Sequence, residues 1–238
     1  MIVETFFRSI LQPLKDFLFV TSCFHCRTPL KDGESRLCTD CWRSLTPVGS
    51  NDYTFHVLRG RFAENDYIAD LISLYYFEKG KVLQSLMHSL KYEEVTSFGV
   101  ELGERLGREI QKRGISSDFV IPVPLNKQKL RERGYNQSDF IAKGMSSVLG
   151  IPVRTDLVRR TRYTVTQTHL NALERKENVA NAFELPHPEQ IRLRSFFIVD
   201  DVITTGSTIQ EIGKILKAAG AEKIIAASAG LAKLGEDG

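Results

Sequence analysis

Two neighbouring carboxylates, Asp200 and Asp201, end an apolar run and precede a short turn of hydroxyl residues and one glycine. The turn consists of Thr204, Thr205, Gly206, Ser207 and Thr208. Apolar residues then recur at helical spacing from Ile209 to Ala219. A strand that leads into a helix through such a turn builds a cradle for an anion, because the free N–H groups of the turn and the positive end of the helix dipole point toward it.

The two carboxylates can accept hydrogen bonds from sugar hydroxyls or lie near a metal ion. Beside an anion cradle they favour a phosphorylated sugar as the ligand. The structural alternative is a buried strand whose Thr and Ser residues only cap the next helix. We expect a ligand role, because two carboxylates without partners at a buried strand end are costly.

The string from Phe196 to Thr208 resembles the phosphoribosyl-diphosphate (PRPP) loop of the type I phosphoribosyltransferases. The resemblance implies that Asp200 and Asp201 hold the ribose 2′ and 3′ hydroxyls, with Mg²⁺ carried by the substrate. It also implies that residues 204–208 hold the 5′-phosphate.

The cysteines form a second candidate site, Cys23, Cys26, Cys38 and Cys41. Two Cys-x-x-Cys knuckles separated by a turn can aim four thiolates at one point, which is the tetrahedral coordination that Zn²⁺ prefers. With no open position, such a zinc ion has a structural role. The alternatives are two disulfides, which no secretory signal supports, and a redox Cys-x-x-Cys, which does not explain the duplication. We expect His25 to be a bystander.

Two basic segments lie between these sites. The first follows a Pro-x-Pro strand and carries Lys127, Lys129, Arg131 and Arg133. It resembles the loop that cradles pyrophosphate in the amidophosphoribosyltransferases, and the alternative is a solvated basic face. The second precedes the strand of the acidic pair and matches the position of the flap that closes over PRPP. The predicted flap residues are Arg162, Gln167 and Arg175.

Apolar residues make up 42% of the chain and charged residues 26%, which is typical of a globular protein. Strands alternate with helices, so we predict an α/β fold with a mostly parallel sheet and helices on both faces. Strands are predicted at 68–77, 119–123, 151–153, 196–203 and 223–231, and helices at 80–90, 98–110, 138–149 and 209–219. We divide the chain into residues 1–50, an amphipathic helix with the zinc ribbon, and residues 51–238, a type I phosphoribosyltransferase-like domain.

The four-cysteine ribbon, Leu90-Lys91-Tyr92, the Arg-Glu-Arg-Gly-Tyr-Asn-Gln string and the PRPP loop together resemble the ComF family, which includes proteins named GntX. The resemblance implies a PRPP-binding protein linked to DNA uptake, with other competence proteins as partners. It also suggests transfer of a phosphoribosyl group with release of pyrophosphate, a reaction of nucleotide metabolism. No residue is identified as a general acid or base. The alternative function is non-catalytic, either binding of single-stranded DNA or sensing of PRPP. No apolar run spans a membrane and no signal peptide is recognisable, which predicts a cytoplasmic location.

Overall fold

The structure is a computed structural model and describes residues 22–92, 95–161 and 182–233. The chain divides into two compact units, Met1–Thr46 and Pro47–Gly238. The predicted amphipathic helix near the N-terminus and the three predicted flap residues lie outside the described residues.

The smaller unit is organised around its cysteines. The amide of Arg27 donates a hydrogen bond of 2.9 Å to the carbonyl of Cys23, which closes the first knuckle. The short helix α1 (Thr39–Arg43) begins after Cys38, whose sulfur accepts a hydrogen bond from the amide of Cys41 at 3.5 Å. Both knuckles are therefore short turns, each closed by a hydrogen bond between residues three or four positions apart.

The larger unit contains a four-stranded sheet in the order β1–β6–β5–β2, and all of its pairings are parallel. The strands are β1 (Asp70–Phe77), β2 (Phe119–Pro122), β5 (Ser195–Ile203) and β6 (Lys223–Ala232). A short antiparallel pair is formed by β3 (Arg159–Arg160) and β4 (Phe183–Glu184). The helices are α2 (Tyr53–Ala63), α3 (Val82–Tyr92), α4 (Thr96–Lys112), α5 (Lys127–Arg133), α6 (Gln137–Leu149) and α7 (Ser207–Ala218), with a 3₁₀ turn at Pro188–Gln190.

Helices cover both faces of the sheet, as predicted. Alternate residues of a strand point to opposite faces. Phe196 and Ile198 of β5 belong to an apolar cluster with Phe62 of α2 and Ile212 of α7. Phe197 is fully buried and points to the other face, where α4 contacts β1 and β6 and α6 contacts β2 and β5. Among the described helices, none combines the length and the apolar character that crossing a bilayer requires.

The predicted mostly parallel sheet is confirmed, and most predicted strands and helices have ends within two residues of those observed. Residues 151–153 contribute only an isolated parallel bridge between Val153 and Val120. No helix is predicted at α2, and a loop is predicted where α5 lies. That segment is helical because the side chain of Asn126 accepts a hydrogen bond from the amide of Lys129 at 2.7 Å. It ends at Gly134, whose φ of 80° is readily adopted by glycine.

Helices α4 and α6 approach each other through glycine residues. A Cβ atom on Gly103 of α4 would lie 2.0 Å from the carbonyl oxygen of Ile141. A Cβ atom on Gly144 of α6 would lie 2.0 Å from the carbonyl oxygen of Val100. No side chain fits at such distances, so the two backbones pack directly against each other. This contact fixes α6, whose N-terminus lies at the carboxyl edge of the sheet.

We expect Gly103→Ala to lower the free energy of unfolding by about 1–3 kcal/mol, because the added methyl group forces the helices apart. Gly60→Ala in α2 is the matched control, since a Cβ atom there meets nothing within 4 Å. Alanine favours helix by up to about 1 kcal/mol over glycine, so the control is expected to be neutral or stabilising. Urea unfolding measures both, and equal effects of the two substitutions would contradict the close helix contact.

Candidate functional site

The carboxyl end of β5 brings the predicted ligand residues together. Asp200 and Asp201 lie near the end of β5, and the turn 204–206 leads from it into α7. Asp200 pairs with Ser228 of β6, so the acidic pair lies in the interior of the sheet and not at an edge strand. Ligands of open parallel sheets bind at the carboxyl ends of the strands. The position therefore agrees with a binding site.

The acidic pair has partners from distant parts of the chain, so the expectation of unpartnered carboxylates is wrong. The hydroxyl of Ser138 donates to Oδ1 of Asp200 at 3.2 Å. The side-chain amide of Gln137 donates to Oδ2 of Asp201 at 3.1 Å. The ammonium group of Lys91 lies 2.7 Å from the same oxygen of Asp201. Desolvation of the pair is thus offset within the protein, by residues that sequence reasoning did not assign to the site.

The environment separates the pKa values of the two carboxyl groups. Burial and the adjacent negative charge of Asp201 raise the pKa of Asp200 to about 7. Burial also acts to raise the pKa of Asp201, but the charge of Lys91 and the hydrogen bonds from Lys91 and Gln137 outweigh it and hold that pKa below its usual value. Near neutral pH the pair therefore carries one full negative charge on Asp201 and a partly protonated Asp200.

The turn before α7 has the features of an anion cradle. Gly206 has a φ of 75°, in the left-handed region that glycine adopts without strain. The N-cap residue of α7 is Gly206, which has no side chain to cap the helix. The amide of Ser207 donates to the hydroxyl of Thr205 at 3.4 Å, and the other N–H groups of the first turn have no partner within the helix. The hydroxyls of Thr205 and Ser207 lie 2.9 Å apart. These groups can donate several hydrogen bonds to one phosphate.

Helix α2 packs against this turn, a contact that was not predicted from the sequence. A Cβ atom on Gly206 would lie 2.7 Å from the ring of Phe62. The side-chain amide of Gln210 in α7 donates to the carbonyl of Arg61 at 3.0 Å. Gly206 is therefore required both for its backbone conformation and for the space that the aromatic ring occupies.

The four cations of the first basic segment divide into two pairs because the segment is helical. Lys129 and Arg133 are half-buried, whereas Lys127 and Arg131 are exposed. Arg133 donates to the side-chain oxygen of Gln137. The side-chain nitrogen of Gln137 in turn donates to Asp201. Burial and the positive charges of Arg133, Arg160 and Lys91 lower the pKa of Lys129. The structure thus brings two of the four predicted cations to the acidic edge.

The antiparallel pair β3–β4 adds a further cation that was not assigned to the site. The guanidinium of Arg160 lies over the ring of Phe183, 5.3 Å from its centroid. Burial lowers the pKa of Arg160, and the negative charge of Asp200 acts in the opposite direction, which places the two side chains near each other. The amide of Thr161 donates to the carbonyl of Ala182 at 2.8 Å. Thr161 and Ala182 therefore lie side by side.

The four cysteines form a compact sulfur cluster. Their sulfur atoms all lie within 4.8 Å of one another. The sulfurs of Cys23 and Cys41 are 3.7 Å apart, as are those of Cys26 and Cys38. A disulfide requires about 2.05 Å, so the alternative of two disulfides does not fit. The hydroxyl of Thr28 lowers the pKa of Cys26 to about 6, which favours a thiolate. The cluster can hold a metal ion.

Comparison with known proteins gives the family. The phosphoribosyl transferase domain family matches residues 138–232, which include the acidic pair and the turn before α7. Competence protein F of Haemophilus influenzae is 31% identical, over 85% of this chain and 93% of that protein. The chain belongs to the ComF family. DNA utilization protein YhgH of Escherichia coli K12 is 32% identical, over 85% of the ComF chain and 93% of its own length.

Among solved structures, purine phosphoribosyltransferase of Pyrococcus horikoshii is similar to the ComF chain at 19% identity. It covers 56% of this chain and 74% of its own, with a TM-score of 0.36. The parallel sheet and the family match together confirm the predicted type I phosphoribosyltransferase fold for the larger unit. The family match begins at Ser138, so it leaves out Lys91, Lys129, Arg133 and Gln137.

The raised pKa of Asp200 predicts a pH dependence of stability. Without ligand, the folded state binds more protons than the unfolded state between the ordinary aspartate pKa of about 4 and the folded value of about 7. The wild-type protein therefore loses stability as pH rises across this window. Asp200→Asn removes this titration, so the variant should gain stability relative to wild type from pH 4 to pH 8. Urea unfolding in the absence of PRPP and Mg²⁺ measures it, and a pH-independent difference would contradict the electrostatic account.

Proposed function

We propose that this ComF protein binds PRPP at the carboxyl edge of its sheet. The observation that carries the proposal is the acidic pair near the end of β5, followed by the hydroxyl-rich turn and the N-terminus of α7, whose N-cap residue is the glycine Gly206. In this assignment Asp200 and Asp201 accept hydrogen bonds from the ribose 2′ and 3′ hydroxyls. The turn of residues 204–208 donates to the 5′-phosphate. Carboxylate oxygens and phosphates also suit Mg²⁺, which would accompany the ligand and neutralise part of the charge on its diphosphate.

The chemistry that we infer for this site is phosphoribosyl transfer. The bond between C1′ and the diphosphate oxygen breaks, a bond from C1′ to a nitrogen nucleophile forms, and the nucleophile loses a proton. Negative charge grows on the departing diphosphate, and the half-buried cations Lys129 and Arg133 lie where they can stabilise it. The proposal assigns no general acid or base. Orientation of the ribose and stabilisation of the leaving group are the roles that these side chains can fill.

The names of the relatives, competence protein F and DNA utilization protein YhgH, support a place for this chain in the handling of DNA. We propose that its larger unit uses PRPP in that process, together with other competence proteins. The exposed cations Lys127 and Arg131 of α5 can contact DNA phosphates, and they support the alternative of a non-catalytic protein that binds single-stranded DNA. The cytoplasmic location stays a prediction.

We also propose that the metal of the cysteine cluster is zinc. In a tetrahedral site with Zn–S bonds of about 2.3 Å, the sulfurs are about 3.8 Å apart. The two shortest sulfur pairs, at 3.7 Å, agree with that spacing. With four cysteine ligands, the ion would stabilise the smaller unit and take no part in the chemistry of the larger one.

Isothermal titration with PRPP and Mg²⁺ tests the ligand assignment. At pH 8, above the raised pKa of Asp200, Asp200→Asn should weaken PRPP binding about 10- to 100-fold, since hydrogen bonds to a charged group contribute roughly 1.5–3 kcal/mol. Asp66→Asn is the control, because Asp66 is exposed in the turn before β1. Its φ of 53° also suits asparagine.

Equal PRPP affinities of wild type and Asp200→Asn would refute the assignment of the acidic pair. Release of pyrophosphate from PRPP on addition of candidate bases then separates the enzyme from the sensor. A protein that binds PRPP tightly and releases no pyrophosphate with any base would favour the non-catalytic alternative.

Elemental analysis of the purified protein should find one zinc ion per chain. Cys41→Ser should release the ion, because a closed site loses one of its four thiolates. His25→Ala should retain it, since the four sulfurs already complete the tetrahedron. Loss of zinc from the histidine variant alone, or protein that carries no zinc at all, would contradict the assignment.

A further inference from the structure

The ion pair between Lys91 and Asp201 occupies an oxygen that the proposed function assigns to the ribose. We propose that Lys91 determines the specificity of this site for a sugar that carries a diphosphate at C1, because it leaves Asp201 only when the ligand supplies a second anionic partner. This inference rests on the proposed binding of PRPP. It concerns how the site rejects ligands that share the ribose and the 5′-phosphate but lack the diphosphate.

Both oxygens of Asp201 are engaged by other groups of the protein. Oδ1 accepts a hydrogen bond of 2.7 Å from the amide of Val202. Oδ2 accepts from Gln137 at 3.1 Å and pairs with Lys91 at 2.7 Å. The side chain of Asp201 is only 8% exposed. A ribose hydroxyl therefore reaches this carboxylate most readily by taking the place of the Lys91 ammonium group.

Lys91 is held at this place by its backbone. The hydroxyl of Tyr135 donates to the carbonyl of Leu90 at 2.7 Å, which fixes the last turn of α3. A cation is also favoured at the C-terminal end of a helix by the helix dipole. The side chain of Lys91 is long, flexible and 28% exposed. It can move without rearrangement of the helix.

The surrounding charges make the exchange selective. The positive charge of Arg133 acts against that of Lys91, and Lys129 is subject to the charges of Lys91, Arg133 and Arg160. Four cations therefore converge beside one acidic pair. Separation of Lys91 from a buried carboxylate is costly unless both groups find new partners. The diphosphate provides a new anion for Lys91, and the ribose hydroxyls and Mg²⁺ provide new partners for Asp201. Ribose 5-phosphate supplies no anion near C1, so Lys91 stays paired with Asp201.

The test compares two ligands on three proteins. Isothermal titration with PRPP and with ribose 5-phosphate, each with Mg²⁺, is carried out on wild type, Lys91→Met and the control Lys143→Met. Lys143 is exposed on α6. In Lys91→Met, PRPP affinity should fall about 10-fold or more, because a charged hydrogen bond is lost. The affinity for ribose 5-phosphate should stay the same or rise. The ratio of PRPP affinity to ribose 5-phosphate affinity should therefore fall at least as much as the PRPP affinity does. Lys143→Met should keep the wild-type ratio.

If Lys91 had a purely structural role, Lys91→Met would lower the affinities for PRPP and for ribose 5-phosphate equally. An unchanged ratio of the two affinities in a folded Lys91→Met protein would therefore overturn the inference while leaving PRPP binding in place. Wild type that binds neither ligand would overturn both proposals. Lys91→Gln serves as a second variant, because it keeps a hydrogen-bond donor beside Asp201 without the charge. It should show the same fall in the ratio as Lys91→Met, and a wild-type ratio in Lys91→Gln would exclude the charge as the cause.

Discussion

The negative charge of two adjacent carboxylates, at the buried end of the central strand β5, is the constraint on which the rest of the site depends. A carboxylate in such a place requires partners, and here the three partners come from two helices outside β5. Lys91 comes from the end of α3, and Gln137 and Ser138 come from the start of α6. These elements can meet because parallel strands all end at the same edge of the sheet, where the connections to the following helices begin. The same edge also receives the half-buried cations of α5 and β3.

The sequence was sufficient for features that depend on near neighbours in the chain. The apolar run of β5, the turn 204–208 and the amphipathic helices are each read from fewer than about twenty consecutive residues. Features that depend on distant contacts were not predictable. Nothing in the neighbourhood of Lys91 indicates that its partner is Asp201, and nothing around Phe62 indicates that its ring lies below Gly206. Helix α5 lies between these cases, since Asn126 and Gly134 are visible in the sequence as possible helix ends, whereas the resemblance to a pyrophosphate loop led to the expectation of a loop.

The sulfur cluster shows why one site was easier to predict than the other. Its ligands lie within one short segment, and each knuckle is closed by hydrogen bonds between residues a few positions apart. Spacing alone therefore fixes the ligand set. The choice between a metal and disulfides depends on distances between the two knuckles, and only the structure supplies the 3.7 Å separations. In the larger unit the corresponding information is spread over most of the chain, so the residue types were predictable and their partners were not.

The direct backbone contact of α4 and α6 has a mechanical consequence. At Gly103 and Gly144 no side chain separates the two backbones, so neither helix can adjust there by a change of rotamer and a shift of one helix requires a shift of the other. An adjustment at the carboxyl edge is then expected first in α3 and α5. These two elements are not independent, because the hydroxyl of Tyr135, just after α5, is bonded to the carbonyl of Leu90 in α3. A displacement of the α3 backbone at Leu90 is therefore passed through one hydrogen bond to Tyr135, just beyond the end of the basic helix.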